Sequence, residues 1–272
     1  MDEVTQFGTI VLVVGLGFSV ALVAAKLTDL VPVPAPAIFL VAAALASDLR
    51  PGLGTYLSIQ TVERIAVVAL VVILFGGGYE IGWRRFRQAA IPISLLGVLG
   101  TFATAGAVAL FAHYALGFAW ISAGLIGAAI APTDPAVMFS VLGEREIAGR
   151  TGTILEGESG ANDPVGIALM IGMIELALHP GGSFWIVGRE FGIEMAVGLA
   201  IGVAGGFLQT WLLRRVSLPN PGLHAVRTLA GAGVIYGAAS VAHGSGFLAV
   251  FVAGLIVGDA KAPLKQEIEN FQ

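Results

Sequence analysis

The sequence predicts an all-α polytopic membrane protein with about nine transmembrane helices, and three observations lead to that prediction. Its 272 residues are 57% hydrophobic and only 12% charged, whereas soluble domains carry about 25% charged residues. The mean hydropathy is +0.90. Apolar runs long enough to cross a bilayer recur along the whole chain. The 38 glycines fit such a protein, because small residues let helices approach closely in lipid.

Nine apolar segments account for most of the chain, and each is a candidate membrane-spanning helix. The second and the ninth are short, and the fifth and sixth carry carboxylates in apolar surroundings. We expect residues 1–260 to form an incomplete transmembrane domain. We expect the polar residues 261–272 to form a cytoplasmic connector to a helical block that this sequence does not include. In chain order the segments are 7–25, 34–48, 62–80, 89–112, 119–142, 154–178, 186–213, 223–242 and 245–258.

Basic residues predict the orientation of the chain, because loops that face the cytoplasm carry an excess of Lys and Arg. Arg84, Arg85 and Arg87 form the densest basic cluster and follow the third segment. With that loop inside, nine crossings place eleven of the 14 basic residues in the cytoplasm and three outside. The sequence therefore predicts that the N-terminus is outside and the C-terminus inside.

Composition also excludes several classes of function. There is no cysteine, which excludes disulfides, thiol catalysis and cysteine-ligated metals. The net charge is −4 and no basic tract is present, so nucleic-acid binding has no support. The four histidines lie near segment ends at spacings that suggest no metal site. We expect no nucleic-acid partner and no cofactor, and the surroundings are membrane lipid.

The first polar motif is Pro132-Thr133-Asp134-Pro135, in segment five. A carboxylate at membrane depth costs roughly 3 kcal/mol or more. Both prolines lack an amide hydrogen, so carbonyl groups about one turn upstream lose their helical donors and must be satisfied by protein, water or an ion. An interrupted helix with a nearby carboxylate is one way to build a cation site. The structural alternative is a proline kink in which Asp134 pairs with a neighbouring helix.

The second polar motif spans residues 156–164, in segment six. Ser159 and Asp163 are four residues apart, so they share one helix face. Glu158 and Asn162 share the adjacent stripe. Hydroxyl, amide and carboxylate oxygens are hard ligands that suit alkali cations and protons. The structural alternative is a buried polar network that only fixes helix packing.

Together the two motifs resemble those of the bacterial monovalent cation:proton antiporters of the NhaP type. The resemblance rests on Thr133-Asp134-Pro135, followed about thirty residues later by Glu158-Ser159-x-x-Asn162-Asp163. It covers essentially the whole chain, and the Gly-x-Asn-Asp-Pro form looks closest to the potassium/proton branch. Three further stretches fit the family as well: Leu155-Glu156-Gly157, Ile73-Leu74-Phe75 with the glycines that follow, and the run from Phe247 to Gly254.

This resemblance implies an inverted-repeat antiporter fold, with an unwound helix at Thr133-Asp134 and a second broken helix in a later part of the protein. It implies alternating access by an elevator-like motion, a homodimer, and the plasma membrane of a bacterium or archaeon. Such proteins exchange Na⁺ or K⁺ for H⁺ and serve pH homeostasis. They are transporters and not enzymes.

The resemblance also implies roles for individual residues. Asp163 would bind either the cation or the proton, and Ser159 and Thr133 would supply further oxygen ligands to the alkali cation. Asp134 would balance the charge of the site. Asn162 and Glu158 would support it, with Glu158 paired in the family to an arginine from a later helix.

Two features bear on how this chain compares with the family. Electrogenic relatives carry a second aspartate where this chain has Asn162, which implies electroneutral exchange of one cation for one proton. Gly76 stands where the family usually has an acid, and Glu80 follows four residues later. The ligand set of this chain is therefore expected to differ from that of its relatives.

Other functions stay open at the level of the sequence. A cation channel of related fold would use similar oxygen ligands but would pass cations without moving protons in return. An intramembrane aspartyl protease would use Asp134 and Asp163 as an acid–base pair, but that function leaves the prolines, Ser159 and Asn162 unexplained. A scaffold without transport activity is the fourth possibility.

Overall fold

All regular secondary structure in the part of the chain that the structure describes is helical. In this computed structural model that part comprises residues 5, 7, 8, 11, 12, 15–20, 35–49, 58–134, 149–179, 182–216 and 221–259. The α-helices with defined bounds are α1 (Ala35–Leu49), α2 (Ile59–Ser94), α3 (Thr101–Tyr114), α4 (Trp120–Ile130), α5 (Arg150–Leu178), α6 (Trp185–Arg215), α7 (Pro221–Val241) and α8 (Gly246–Gly258). A π-helical segment, Leu95–Gly100, joins α2 to α3.

The helices coincide with the predicted apolar segments, because lipid requires every backbone polar group to be satisfied within the helix itself. Helices α5 to α8 begin and end within four residues of segments six to nine. Among the described residues, three helical stretches are long and apolar enough to cross a membrane: Ile59–Tyr114, α5 and α6. Segments three and four both lie in the first of these stretches, where the non-helical backbone at Gly82 separates them. The number of nine crossings stays a prediction. Residues 135–142 of segment five and residues 261–272 lie outside the described residues.

A sharp turn at Gly82 replaces the loop predicted between segments three and four. Gly82 has φ 69° and ψ 153°, a conformation that essentially only glycine adopts. The helix resumes at once, and the Arg84 N–H donates to Asp259 Oδ2 over 2.7 Å. Asp259 follows the last residue of α8. A carboxylate in that place caps the new first turn of α2, where backbone N–H groups lack helical acceptors.

The chain forms two compact units. One comprises Met1–Val67 and Ala136–Ile147, and its described helices are α1 and the beginning of α2. The other comprises Val68–Pro135 and Ala148–Gln272. It contains the remaining helices, including both polar motifs.

Helix α8 forms the core of the second unit, and nearly all its residues are buried. Helix α6 packs along it through glycines four residues apart, as the sequence predicted for its glycines. A Cβ atom at Gly202 would lie 2.6 Å from the carbonyl oxygen of Ala249, and one at Gly206 would lie 3.0 Å from Ala253 Cα. The backbones of α6 and α8 are therefore in direct contact and run in the same direction.

Basic residues gather at one end of the second unit. Because α6 and α8 run in the same direction, the end of α6 with Arg214 and Arg215 lies beside the Asp259 end of α8. Arg84 contacts Asp259, and Arg227 near the beginning of α7 contacts the end of α6. These residues belong to the set predicted to be cytoplasmic, and the side of the membrane that this end faces stays a prediction. Four further members of the predicted cytoplasmic set lie outside the described residues: Lys26, Arg145, Lys261 and Lys265.

Candidate functional site

The first motif begins where α4 ends. The last helical bond of α4 runs from the Ala131 N–H to the Gly127 carbonyl over 3.1 Å. Residues 131–134 are not helical, because Pro132 lacks the N–H that would continue the ladder. The predicted interruption before Thr133-Asp134 is therefore present, and the course of the chain from Pro135 onward lies outside the described residues.

Small residues on α5 bring this non-helical segment against the second motif. A Cβ atom at Gly166 would collide with the ring of Pro132, and one at Gly157 would lie 2.5 Å from Ile93 Cδ1 in α2. Helix α5 is thus enclosed by its neighbours on more than one side. It continues as a helix through Pro164, which removes the usual helical donor to the carbonyl one turn earlier.

Asn162 joins the two motifs. Its side chain is 0% exposed. Its Nδ2 amide donates to Thr133 Oγ1 over 2.8 Å, to the Thr133 carbonyl over 3.2 Å, and to Glu158 Oε1 over 2.8 Å. The Thr133 carbonyl has lost its place in a helix and gains a donor here. The unwound segment and α5 are therefore held together by one amide group.

Glu158 accepts from both motifs. The Thr133 hydroxyl donates to its two carboxylate oxygens over 3.2 and 3.3 Å, in addition to the bond from Asn162. In the described part of the chain, no basic side chain lies within ion-pair distance of Glu158; the ion pairs found there are His179–Glu175 and Arg189–Glu190. Neutral donors rather than an arginine therefore hold this carboxylate.

Asp163 lies beside this junction and near the middle of α5. It is thirteen residues from Arg150, which corresponds to about 20 Å along a helix. The charges of Asp134 and Glu158 both act on Asp163, so three carboxylates share one neighbourhood. Ser159 is partly buried on the same helix face as Asp163, and it makes no side-chain hydrogen bond to any other described residue.

The arrangement favours binding of a cation. Three carboxylates in apolar surroundings repel one another, and a bound cation or proton relieves that repulsion. The hydroxyl and amide groups around them add oxygen atoms without adding charge. In the described part of the chain, no three acidic, histidine or cysteine side chains converge closely enough to hold a metal ion. A cation here would therefore need hydroxyl, carbonyl or water oxygens as well.

Of the six predicted site residues, hydrogen bonds join Thr133, Glu158 and Asn162. Asp134 and Glu158 act on Asp163 through their charges, and Ser159 lies on the same face of α5 as Asp163. The sequence did not predict that Asn162 is the link between the motifs, since such a contact depends on tertiary packing. It also missed a second charged group, in which Arg85 and Glu80 act on the half-buried Glu156. Exposed Glu80 thus lies near Glu156.

Comparison with known proteins places these motifs in a family context. A family model described as "Sodium/hydrogen exchanger, transmembrane" matches residues 9–271. The chain is 32% identical over 255 residues to the K(+)/H(+) antiporter NhaP of Alkalimonas amylolytica, a match that covers 93% of this chain and 44% of that protein. It is 30% identical over 258 residues to the K(+)/H(+) antiporter NhaP2 of Shewanella oneidensis, with the same two shares.

A relative named as a Na(+)/H(+) antiporter matches less of the chain. The low-affinity Na(+)/H(+) antiporter NhaS1 of Synechocystis sp. is 28% identical over 200 residues, which is 72% of this chain and 37% of that protein. The chain spans less than half the length of each of these three relatives.

Proposed function

The chain belongs to the family of transmembrane sodium/hydrogen exchangers, and on that premise we propose that it exchanges a monovalent cation for a proton across a membrane. The family is one of multi-pass membrane transporters and not of enzymes. The observation that carries the proposal is the junction of Thr133, Glu158 and Asn162 beside Asp163, because it surrounds one mid-helix carboxylate with oxygen atoms and like charges.

In this proposal the cation and the proton compete for Asp163. Either one neutralises the carboxylate, so each loaded form can pass from one access state to the other. The empty carboxylate cannot, because exposing a bare charge to apolar surroundings costs roughly 3 kcal/mol or more. Competition for one group together with a block on the empty form couples the two fluxes without a leak.

The neighbouring residues have distinct roles. Ser159 and Thr133 supply oxygen ligands to the alkali cation, and Asp134 balances the charge of the site. Asn162 and Glu158 position Thr133 through the three hydrogen bonds of the amide group. Since Asn162 adds no second titrating acid next to Asp163, the exchange is electroneutral.

Potassium is the favoured cation in this proposal. The names of the two relatives that cover 93% of the chain are those of K(+)/H(+) antiporters, while the Na(+)/H(+) antiporter covers 72%. We also propose that it acts as a homodimer in the plasma membrane and serves pH homeostasis, as the resemblance of its motifs implies. Nine crossings, an inverted repeat and an external N-terminus complete the proposed topology.

The test is cation-driven proton movement in everted vesicles that contain the chain, with K⁺ and Na⁺ added separately across a pH series. The unsubstituted chain should collapse an imposed pH gradient on cation addition, and Asp163→Ala should abolish that response. Asp163→Glu keeps the carboxylate but places it one methylene group farther from the backbone. This variant should retain exchange with a shifted pH optimum. Glu175→Ala is the matched control, because it removes a partly exposed carboxylate from the far end of the same helix.

Four results would contradict the proposal. Exchange that survives Asp163→Ala would remove Asp163 from the mechanism. Cation flux without any proton movement would indicate a channel, and cleavage of a helical reporter without an ion gradient would indicate a protease. If the unsubstituted chain gives no cation-driven proton movement, these 272 residues do not exchange ions.

A further inference from the structure

A groove between α6 and α7 is chemically different from the carboxylate site. Its volume is about 270 Å³. On α6 it is lined by a stripe at positions 205, 208 and 212, and on α7 by a stripe at positions 227, 230 and 234. The stripes span seven residues each, or about 10 Å of helix. Apart from Gln209 and Arg227, every lining side chain is apolar or glycine.

Arg227 gives the groove one charged end. Its Nη1 donates to the carbonyl of Val216 over 2.6 Å, and its Nη2 contacts His224 Nδ1 at 2.9 Å. These partners are neutral acceptors, and no carboxylate lies within ion-pair distance of Arg227 among the described residues. Its Nε–H is buried without a hydrogen-bond partner. The positive charge is therefore uncompensated, next to the end of α6.

Gln209 adds an unused acceptor to the same groove. Its side chain is 5% exposed, and its Nε2 donates to the Thr228 carbonyl over 2.9 Å. That bond fixes the amide, and its Oε1 is buried without a partner. Native proteins rarely leave two such atoms unsatisfied, and each one calls for an explanation such as a missing ligand.

We propose that this groove binds an acidic glycerophospholipid. The phosphate pairs with the Arg227 guanidinium, a hydroxyl of the headgroup donates to Gln209 Oε1, and one acyl chain lies along the apolar stripe toward Val234. This proposal rests on the membrane setting and not on ion exchange, so it stands or falls independently of Asp163.

The polarity of the groove matches that of a lipid. Its charged end lies beside Arg214 and Arg215, at the helix ends where headgroups are found, and its apolar part runs inward from there. Basic pockets between helices at a cytoplasmic surface favour anionic headgroups. Val234 is 72% exposed and Leu208 is 58% exposed, so the apolar part is open to the surrounding bilayer. A soluble anion would satisfy Arg227 but would leave that apolar part uncovered.

The experiment measures binding of phosphatidylglycerol to the delipidated chain by native mass spectrometry. Phosphatidylcholine and inorganic phosphate serve as the other two probes. Arg227→Gln should weaken phosphatidylglycerol binding about tenfold or more, since it removes the charge-assisted hydrogen bonds that hold the phosphate directly. Arg215→Gln is the matched control, because it removes the same charge from an exposed arginine that does not line the groove. It should leave phosphatidylglycerol binding at this groove unchanged.

Two further variants separate a charge effect from a folding effect. Arg227→Lys keeps the positive charge but cannot contact two partners through separate guanidinium nitrogens. It should retain most of the phosphatidylglycerol binding. Ala230→Leu leaves Arg227 intact and fills the groove with an exposed side chain, so it should weaken phosphatidylglycerol binding even if Arg227→Gln does not fold.

Each contrary result is decisive. Equal phosphatidylglycerol binding by Arg227→Gln and Arg215→Gln would overturn the proposal, and so would unchanged binding by Ala230→Leu. Inorganic phosphate that binds as tightly as phosphatidylglycerol would show an anion site and no lipid site. Phosphatidylcholine that binds as tightly would show that the acidic headgroup is not recognised.

Discussion

Two polar clusters lie in the second unit of this protein, and they differ in both their position along the helices and their charge. The first, which we call the carboxylate cluster, consists of Thr133, Asp134, Glu158, Asn162 and Asp163. It lies about halfway along α5 and carries three acids. The second, which we call the arginine cluster, lies at one end of α6 and α7 and carries one uncompensated cation.

The difference shows how the sign of unbalanced charge selects a ligand. In the carboxylate cluster, neutral amide and hydroxyl donors hold the acids in place without neutralising them. The arginine cluster, which comprises Gln209, His224, Arg227 and Thr228, uses neutral acceptors in the same way. In each cluster, hydrogen bonds to neutral groups hold the charged side chain, but no opposite charge among the described residues neutralises it. The deep one suits a small cation that crosses the membrane, and the peripheral one suits an anionic headgroup that stays at its surface.

The largest expected effect comes from removing the central charge of one cluster and not the other. Asp163→Ala should reduce cation-driven proton movement to background, because in the proposed mechanism the cation and the proton compete for that carboxylate. Arg227→Gln should leave at least half of the exchange rate, since that side chain lies outside the ion path. Vesicle fluorescence assays on both variants measure this. Equal losses would mean that the two clusters act as one site.

The next effect concerns the amide that joins the two motifs. Asn162→Leu is similar in size but removes the amide that donates to the Thr133 carbonyl and hydroxyl and to Glu158, and a group left unsatisfied costs about 1–3 kcal/mol. We expect exchange to fall about tenfold or more and the melting temperature of the purified chain to drop. Asn162→Gln, which keeps the amide, is the control. Normal exchange by Asn162→Leu would show that Asn162 contributes only to helix packing.

A smaller effect is expected at Thr133. Thr133→Val removes the hydroxyl that accepts from Asn162 and donates to Glu158, while the backbone carbonyl keeps its bond to the amide. The loss of one such group corresponds to about 1 kcal/mol, so exchange should slow about fivefold and the cation concentration for half-maximal response should rise. Thr133→Ser should behave like the unsubstituted chain. If Thr133→Ser slows exchange as much as Thr133→Val does, the methyl group of Thr133 and not its hydroxyl is required.

The smallest effect on exchange should come from the packing of α6 on α8 at Gly202, which belongs to neither cluster. Gly202→Ala places a Cβ atom 2.6 Å from the Ala249 carbonyl oxygen, and overpacking of this kind costs about 1–3 kcal/mol. The melting temperature should fall while the remaining folded protein exchanges ions. Gly192→Ala on the same helix has nothing within 4 Å of the new atom and should not lower it. A stable Gly202→Ala variant would contradict the close α6–α8 contact.

The sequence by itself determined which stretches become helices. Residues 186–213 were predicted and Trp185–Arg215 is observed; residues 245–258 were predicted and Gly246–Gly258 is observed. Hydropathy suffices for this, because transfer into lipid depends on the residues of one segment and hardly on their neighbours in space. The two polar motifs were found for the same reason, since acids and prolines are conspicuous within apolar runs.

Only the tertiary structure decided how those residues meet. The Arg84–Asp259 cap spans 175 residues of sequence, and the Asn162–Thr133 bonds span 29. No local pattern encodes such pairs. The turn at Gly82 was predicted as a loop because three arginines follow it, yet one glycine with positive φ is enough to redirect the helix. Arg227 was read only as a marker of orientation, because its lack of a carboxylate partner becomes visible only when α6 and α7 are packed together.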